Sequence, residues 1–272
     1  MTAFESQLEI DSLDKLAEAA RLATEAFGRR PWFRGHRNRE WQLLPKVHRI
    51  AKQRGYSAHY ESTISNKFKA HAPLRHRNCP RDDNWFGWLS LMRHYGLPTR
   101  LLDWTESMLV AAFFAVEGDS RDKPPAIWAL DPYRLNACAV IGAVGGHEGA
   151  PLPQYNGVVE LLAADAFDAR TRHPGTYAVV PSETDLRMLV QHSAFTVHSF
   201  PGSPLEEHKQ GEYFLMKFAI APGSVSSLRE SLDRLGVNRF TLFPDIGTLA
   251  EGIEEHEKGP ANTAEFLREA KE

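Results

Sequence analysis

"MRHYGLPTRLLDWTESMLVAAFFA", residues 92–115, decides how this chain is read, because a dense polar run turns abruptly into an apolar one. Gly96 sits where a helix stop belongs. Pro98 forces Leu97 toward extended geometry, so Thr99 and Arg100 leave the helix direction. From Thr105, which reads as an N-cap, "MLVAAFFAV" is apolar on every side, so a helix there is expected to be buried centrally. His94, Thr99, Arg100, Asp103 and Trp104 then fall in a loop on a rigid pedestal, the usual position of binding residues. Two readings stand side by side: His94 and Arg100 face an anionic ligand, or Arg100 and Asp103 pair and hold the loop. Asp103 and Trp104, at the helix entrance, read as a structural clamp.

Upstream, "SLDKLAEAARLATEAFGRRP" has Asp11 or Ser12 as an N-cap, helical spacing of apolar residues, and Gly28 and Pro31 to close it. "WFRGHRNREWQLLPKVHR" opens with aromatic residues that suit a short strand, and Gly35 lets backbone or ligand approach closely. Arg34 would project beside that bare backbone, an arrangement suited to gripping a phosphate or carboxylate; a structurally paired arginine is the plainer reading. Residues 56–72 and 85–95 are expected helices around the loop "PLRHRNCPRDDN".

Downstream, "AIWALDP", "NGVVELLAA", "GTYAVVPS", "SAFTVHSF" and "EYFLMKFAIA" read as strands or short mixed elements, with a helix near 183–191. "PGSVSSLRESLDRLG" is a helix ended by Gly236, "RFTLFPD" a strand and turn, and "IGTLAEGIEEHEK" a last helix. The Gly-rich stretch 142–157 reads as a loop near a ligand. Helices gather in the first half and strands in the second, which argues for an α+β fold with a mainly antiparallel sheet and a buried central helix. The expected organisation is an N-terminal helix in 1–29, one domain over 30–258 and an acidic tail over 259–272.

With 272 residues, 42% hydrophobic, 25% charged and a net charge of −3, the chain has the composition of a globular protein able to bury a core. No apolar run approaches the roughly 18 residues of a membrane helix, and the N-terminus has no leader-like pattern, so a cytoplasmic protein with no membrane partner is expected. Cys79 and Cys138 lack metal-ligand spacing, so reduced thiols and no metal are expected. Residues 29–54 hold nine Lys/Arg against the single acid Glu40. Interleaved with Trp32, Phe33 and Trp41, that run leaves a nucleic-acid partner open beside a small anionic ligand. "DLRMLVQHSAFTVHSF" crowds Arg187, Gln191, His192, Thr196 and His198 at a helix-to-strand transition; alternation puts Phe195 and Val197 on a core face and Thr196 and His198 on a wet one. Gln210 and Glu212 would share a face at a strand start, where Glu212 is a candidate catalytic carboxylate. No GxSxG, HExxH or Walker-type loop occurs. The sequence leaves the oligomeric state open.

The residues Phe33, Arg34 and Gly35, with "LLPKVHR", "HYGLPTRLLDWT" leading into "LVAAFFA", "RMLVQHSAF" and "TLFPD", resemble the FRG domain family over roughly residues 30–250. Arg93 stands where that family usually has Gln, Gln191 to Phe195 replace its Gln-x-Gly-x-Phe, and Ile246, Gly247 and Thr248 follow "FPD" where it has Leu-Asp-Gly. The resemblance supplies a map of sites, with Arg34, Gly35, Arg49, Thr99, Arg100 and Gln191 as ligand-binding candidates and His94 as a polar catalytic partner. A remoter likeness is to ADP-ribosyltransferases that open with an aromatic-Arg-Gly strand and close with Gln/Glu-x-Glu, although no Ser-Thr-Ser stands between them here. It implies NAD as cofactor, Arg34 on the diphosphate, and Glu212 stabilising a developing oxocarbenium ion. A ligand-sensing domain without turnover is the alternative.

Overall fold

The computed structural model describes residues 4–118, 123–143, 157–169, 174–181 and 186–257. The first half contributes β1 (Glu5–Ile10), α1 (Leu13–Phe27), β2 (Trp32–His36), α2 (Lys46–Arg54), α3 (Ala58–His71), α4 (Trp85–His94), β3 (Leu101–Thr105), α5 (Met108–Val116) and β4 (Ala126–Leu130). There follow α6 (Pro132–Ala143), α7 (Gly157–Asp168), β5 (Thr176–Val179), α8 (Leu186–Val190), β6 (Ser193–His198), α9 (Gly211–Phe214), β7 (Leu215–Ile220), α10 (Val225–Arg234), α11 (Arg239–Leu242) and α12 (Ile246–Glu257). The fold is α+β. Its strands form one sheet in the order β1-β7-β4-β2-β3-β6-β5, antiparallel except for the β1 and β7 pair.

Alternation sorts the strand residues onto two faces. On one face, Phe33, Ile127, Ala129 and Phe218 pack beneath α1, α5 and α10, while Leu101, Tyr177, Val179, Phe195 and Val197 pack beneath α3, α4 and α7. That face therefore carries two groups of helices, divided where β2 meets β3. The opposite face buries Trp32, Leu102, Trp104, Trp128 and Leu130 with Leu43, Leu135, Leu205 and Phe214. Helix α5 is the pedestal expected from its composition: Met108, Val110, Ala111, Ala112, Phe113, Ala115 and Val116 are all buried, although Leu109 reaches solvent. Helix α1 is capped as read, with the Ser12 side chain accepting from the N–H of Lys15 and Gly28 left-handed at φ 70.

Several expectations are corrected. Thr105 is the last residue of β3, and Ser107 caps α5 by accepting from the N–H of Val110. Asp103 and Trp104 therefore lie on a central strand, not in a loop hinge. "NGVVELLAA" is the start of α7, whose buried Val159, Leu162, Ala163, Ala166 and Phe167 keep helical spacing once the window is extended. "RFTL" at the start of "RFTLFPD" forms the helical turn α11, not a strand, with Asn238 and Thr241 making a reciprocal capping box. Glu212 sits in the helical turn α9 ahead of β7, not at a strand start. Elements β1, α2 and α6 were not anticipated, and β1 ties the N-terminus to β7. Part of the Gly-rich stretch 142–157 and the acidic tail 259–272 lie outside the described residues. Among the described residues no helix is long and apolar enough to cross a membrane.

Candidate functional site: a cationic pocket where the sheet parts

Strand β2 pairs with β4 over five positions and β3 with β6 over five, but β2 and β3 meet only at Phe33 opposite Thr105. Beyond that pair the Asp103 carbonyl has no strand neighbour. It accepts instead from Nη1 of Arg34 at 2.6 Å. A guanidinium thus takes the place of a ladder N–H, satisfying an interior carbonyl while leaving the strands apart. A pocket of about 520 Å³ lies in this gap, lined by β2, β3, β6, α2, α4, α5, the turn after β2 and the region of α8.

The residues of the β2 motif divide the work. Phe33 is buried in the core beneath α5. Gly35 lies so close to α5 that a Cβ there would sit 1.9 Å from the Ala111 carbonyl oxygen and 2.6 Å from the Ala115 nitrogen, so only glycine lets helix and strand pack. Arg34 lines the pocket on the opposite side of the strand. Its Nε donates to Nε2 of His36 at 3.1 Å, which fixes His36 as neutral with its proton on Nδ1. Burial pushes the His36 pKa well below its ordinary value, and the charges of Arg34, Arg49 and Lys217 push it further.

Asp103 is the pocket's central acid. Arg93, from the last turn of α4, grips it with two parallel bonds, Nε to Oδ1 at 2.9 Å and Nη2 to Oδ2 at 2.5 Å, and Arg34 Nη1 lies 3.5 Å from Oδ2. Burial alone would raise the Asp103 pKa, but the charge and hydrogen bonds of Arg93, then the charge of Arg34, hold it well below the usual carboxylate range. Burial pushes the Arg34 guanidinium down to about 10, with Asp103 opposing and Arg93 and Arg49 adding, so it stays cationic at neutral pH. Burial and Arg93 likewise lower Arg49, against Asp103.

Charge at the pocket is unbalanced: Arg34, Arg37, Arg49, Arg93 and Arg187 line it against Asp103 and Glu117. Arg93 is spent on Asp103. Among the described residues neither the Arg49 guanidinium nor Nη2 of Arg34 has a hydrogen-bond or ion-pair partner, and the Arg37 guanidinium makes only a ring contact with Trp41, so unpaired donors line the pocket.

The structure gathers Arg34, Gly35, Arg49, His94, Asp103, Trp104 and Gln191 at this pocket. Gln191 donates from Nε2 to the Leu242 carbonyl at 2.9 Å, and its own carbonyl accepts from Thr105 Oγ1 at 2.7 Å, so it also ties α8 to β3 and α11. Thr99 and Arg100 lie elsewhere. Arg100 is 1% exposed and bound to the fully buried Glu61 through Nε and Nη2, with Nη1 on the Leu162 carbonyl, a closed ion pair joining α3, β3 and α7. Glu212 is exposed on α9 and outside the pocket. The face of β6 expected to be wet is buried: Trp104 Nε1 donates to Thr196 Oγ1 at 3.1 Å, and Thr196 Oγ1 lies 2.9 Å from His198 Nε2. Arg93 carries more of the site than its sequence context suggested, His36 is not singled out by the sequence, and Trp41, read there only as one aromatic of the basic run, lines this pocket. The alternation of Arg34 and His36 along a strand was the available signal.

The comparison with protein families matches the FRG domain over residues 29–124. The segment is an FRG domain. No curated protein and no solved structure matches the chain. The FRG domain spans β2 to α5 and contains Arg34, His36, Arg49, Arg93 and Asp103, while Arg187 and Gln191 close the pocket from beyond it. No cluster of histidine, cysteine or carboxylate side chains suited to a metal occurs among the described residues.

Proposed function

We propose that the FRG domain is a ligand-binding module whose pocket takes a small phosphorylated anion. The observation that carries this reading is the pair of unpartnered donors, the Arg49 guanidinium and Arg34 Nη2, beside an arginine cluster that Asp103 only partly neutralises. Guanidinium groups grip phosphate oxygens through paired N–H donors, and a partly desolvated pocket strengthens each such bond. Arg49 supports nothing else among the described residues, so it is the clean probe. Titration calorimetry with inorganic pyrophosphate is expected to show binding that weakens with salt and falls at least tenfold in Arg49→Ala, with the melting temperature unchanged. Absence of binding to the wild type overturns the reading.

The enzymatic form, transfer or hydrolysis of NAD, has less behind it. Its carboxylate, Glu212, is exposed on α9 and does not line the pocket that holds Arg34. Nicotinamide release from NAD is its direct test. A nucleic-acid surface also has less support, because the basic run does not act as one stripe: Arg39 pairs with Glu5, Lys46 caps Gly96, and Arg34 and Arg49 turn into the pocket.

A further inference from the structure

The pocket is larger than a phosphate needs. A phosphate group occupies on the order of a few water volumes, each about 30 Å³, against a cavity of about 520 Å³. What fills the remainder must suit the wall that faces it, and at the rim that wall is Trp41.

Trp41 is 38% exposed, an unusual state for an indole held in a fixed place. The turn that carries it is anchored through Arg39. The Trp41 N–H donates to the Asn38 carbonyl at 3.1 Å, the Arg39 N–H donates to the Pro124 carbonyl at 2.8 Å, and the Arg39 guanidinium pairs with Glu5 at 2.6 Å. The ring stands edge-on to His36 with centroids 6.2 Å apart, and the Arg37 guanidinium carbon lies 5.7 Å from the ring centroid. His36 is in turn bonded to Arg34. An ordered aromatic surface and a second guanidinium plane therefore lie one residue contact away from the phosphate donors.

Resting on the phosphorylated-anion reading, we infer that the ligand is a nucleoside phosphate, with its phosphates on Arg34 and Arg49 and its base stacked on Trp41. Stacking on an aromatic side chain tolerates any base, because every base presents a π face, and a neighbouring arginine adds to it. A sugar phosphate without a base would leave Trp41 in water and draw nothing from it.

The test compares ADP with inorganic pyrophosphate, by calorimetry on the full chain, for the wild type, Trp41→Ala and Trp41→Phe. ADP is expected to bind the wild type about tenfold or more tightly than pyrophosphate, as stacking of one base allows. Trp41→Ala removes that preference by weakening ADP far more than pyrophosphate, while Trp41→Phe, which keeps a ring, retains most of it. Equal affinity of ADP and pyrophosphate for the wild type, or a preference that survives Trp41→Ala, overturns the base site and leaves the anion site standing. Failure of both ligands to bind overturns the anion site and this inference with it. An unchanged melting temperature in both variants shows that the loss is one of contact.

Discussion

Arg34 bonds the main-chain oxygen of Asp103 at 2.6 Å across the gap between β2 and β3, and by its other edge it bonds His36 at 3.1 Å. One side chain thus closes the sheet electrostatically and still presents Nη2 to the pocket. A structurally paired arginine and an arginine turned into a pocket, alternatives in the sequence, are the same residue in this arrangement.

Arg34→Lys follows from that geometry. Lysine has a single ammonium on a flexible stem and cannot hold two acceptors in the plane of a guanidinium. One of the two buried acceptors is left unmet, so a loss of about 1–2 kcal/mol is expected in urea unfolding, together with loss of pyrophosphate binding. A variant as stable as the wild type would show that the seam is held by other groups.

Asp103→Asn separates stability from binding. The neutral amide gives up the ion pair with Arg93, but the site is open to the pocket and solvent screens it, so a loss of about 1–2 kcal/mol is expected at neutral pH. Binding moves the other way, because Arg93 and Arg34 lose their counter-charge and anion affinity rises. The folded pKa of Asp103 is depressed, so its contribution is present above the ordinary value of 3.8 and is lost as pH falls below it. The wild-type and variant stability curves are therefore expected to converge in strong acid. A gap that stays constant down to pH 2 contradicts the assignment.

What the sequence made legible was local. Ser12 and Gly28 bracket α1 because capping chemistry lies within a few residues of the helix it ends, and "MLVAAFFAV" announces a buried helix because its apolarity is continuous. The segment after Pro98 misled because an X-Pro pair marks extended backbone without saying whether it is loop or strand; Leu101 to Thr105 become a strand only by pairing with β6, far along the chain. Arg100 looked like Arg34, a guanidinium beside polar loop residues. What separates them is Glu61, which lies 39 residues earlier and reaches Arg100 only through the packing of α3 on α7. Gly35 was seen as a place of close approach, and the thing approaching proved to be the backbone of α5.

Breaking the Arg100 and Glu61 pair tests that distinction. Both side chains are buried, 1% and 0% exposed, and removing either partner strands a charge in the core. Arg100→Ala or Glu61→Gln is expected to cost about 3–5 kcal/mol, and the double replacement Arg100→Met with Glu61→Leu to recover much of it. Pyrophosphate affinity, measured on the fraction that remains folded, stays within a factor of two. A large affinity loss at full stability would move Arg100 back into the binding site.

The histidines give the acid side of the stability curve its slope. His198 is fully buried, with Thr196 Oγ1 at 2.9 Å from Nε2 and Thr176 Oγ1 at 3.4 Å from Nδ1, and Thr196 Oγ1 also accepts from Trp104. Burial holds its pKa well below 6.5, and the charges of His48, Arg100 and Arg34 lower it further. His36 is depressed by the same burial and by the arginines around it. In the unfolded chain both titrate near 6.5, so the unfolded state binds more protons below that pH, and stability present above it is lost as the solution is acidified. Each such histidine contributes a slope of about 1.4 kcal/mol per pH unit once the pH is well below 6.5. His198→Asn is expected to lower stability at neutral pH by orphaning a hydroxyl, yet to flatten the decline between pH 6 and pH 4 by one histidine's share. Urea midpoints across that range read the slope directly, and a slope equal to that of the wild type would mean that His198 is protonated in the folded core.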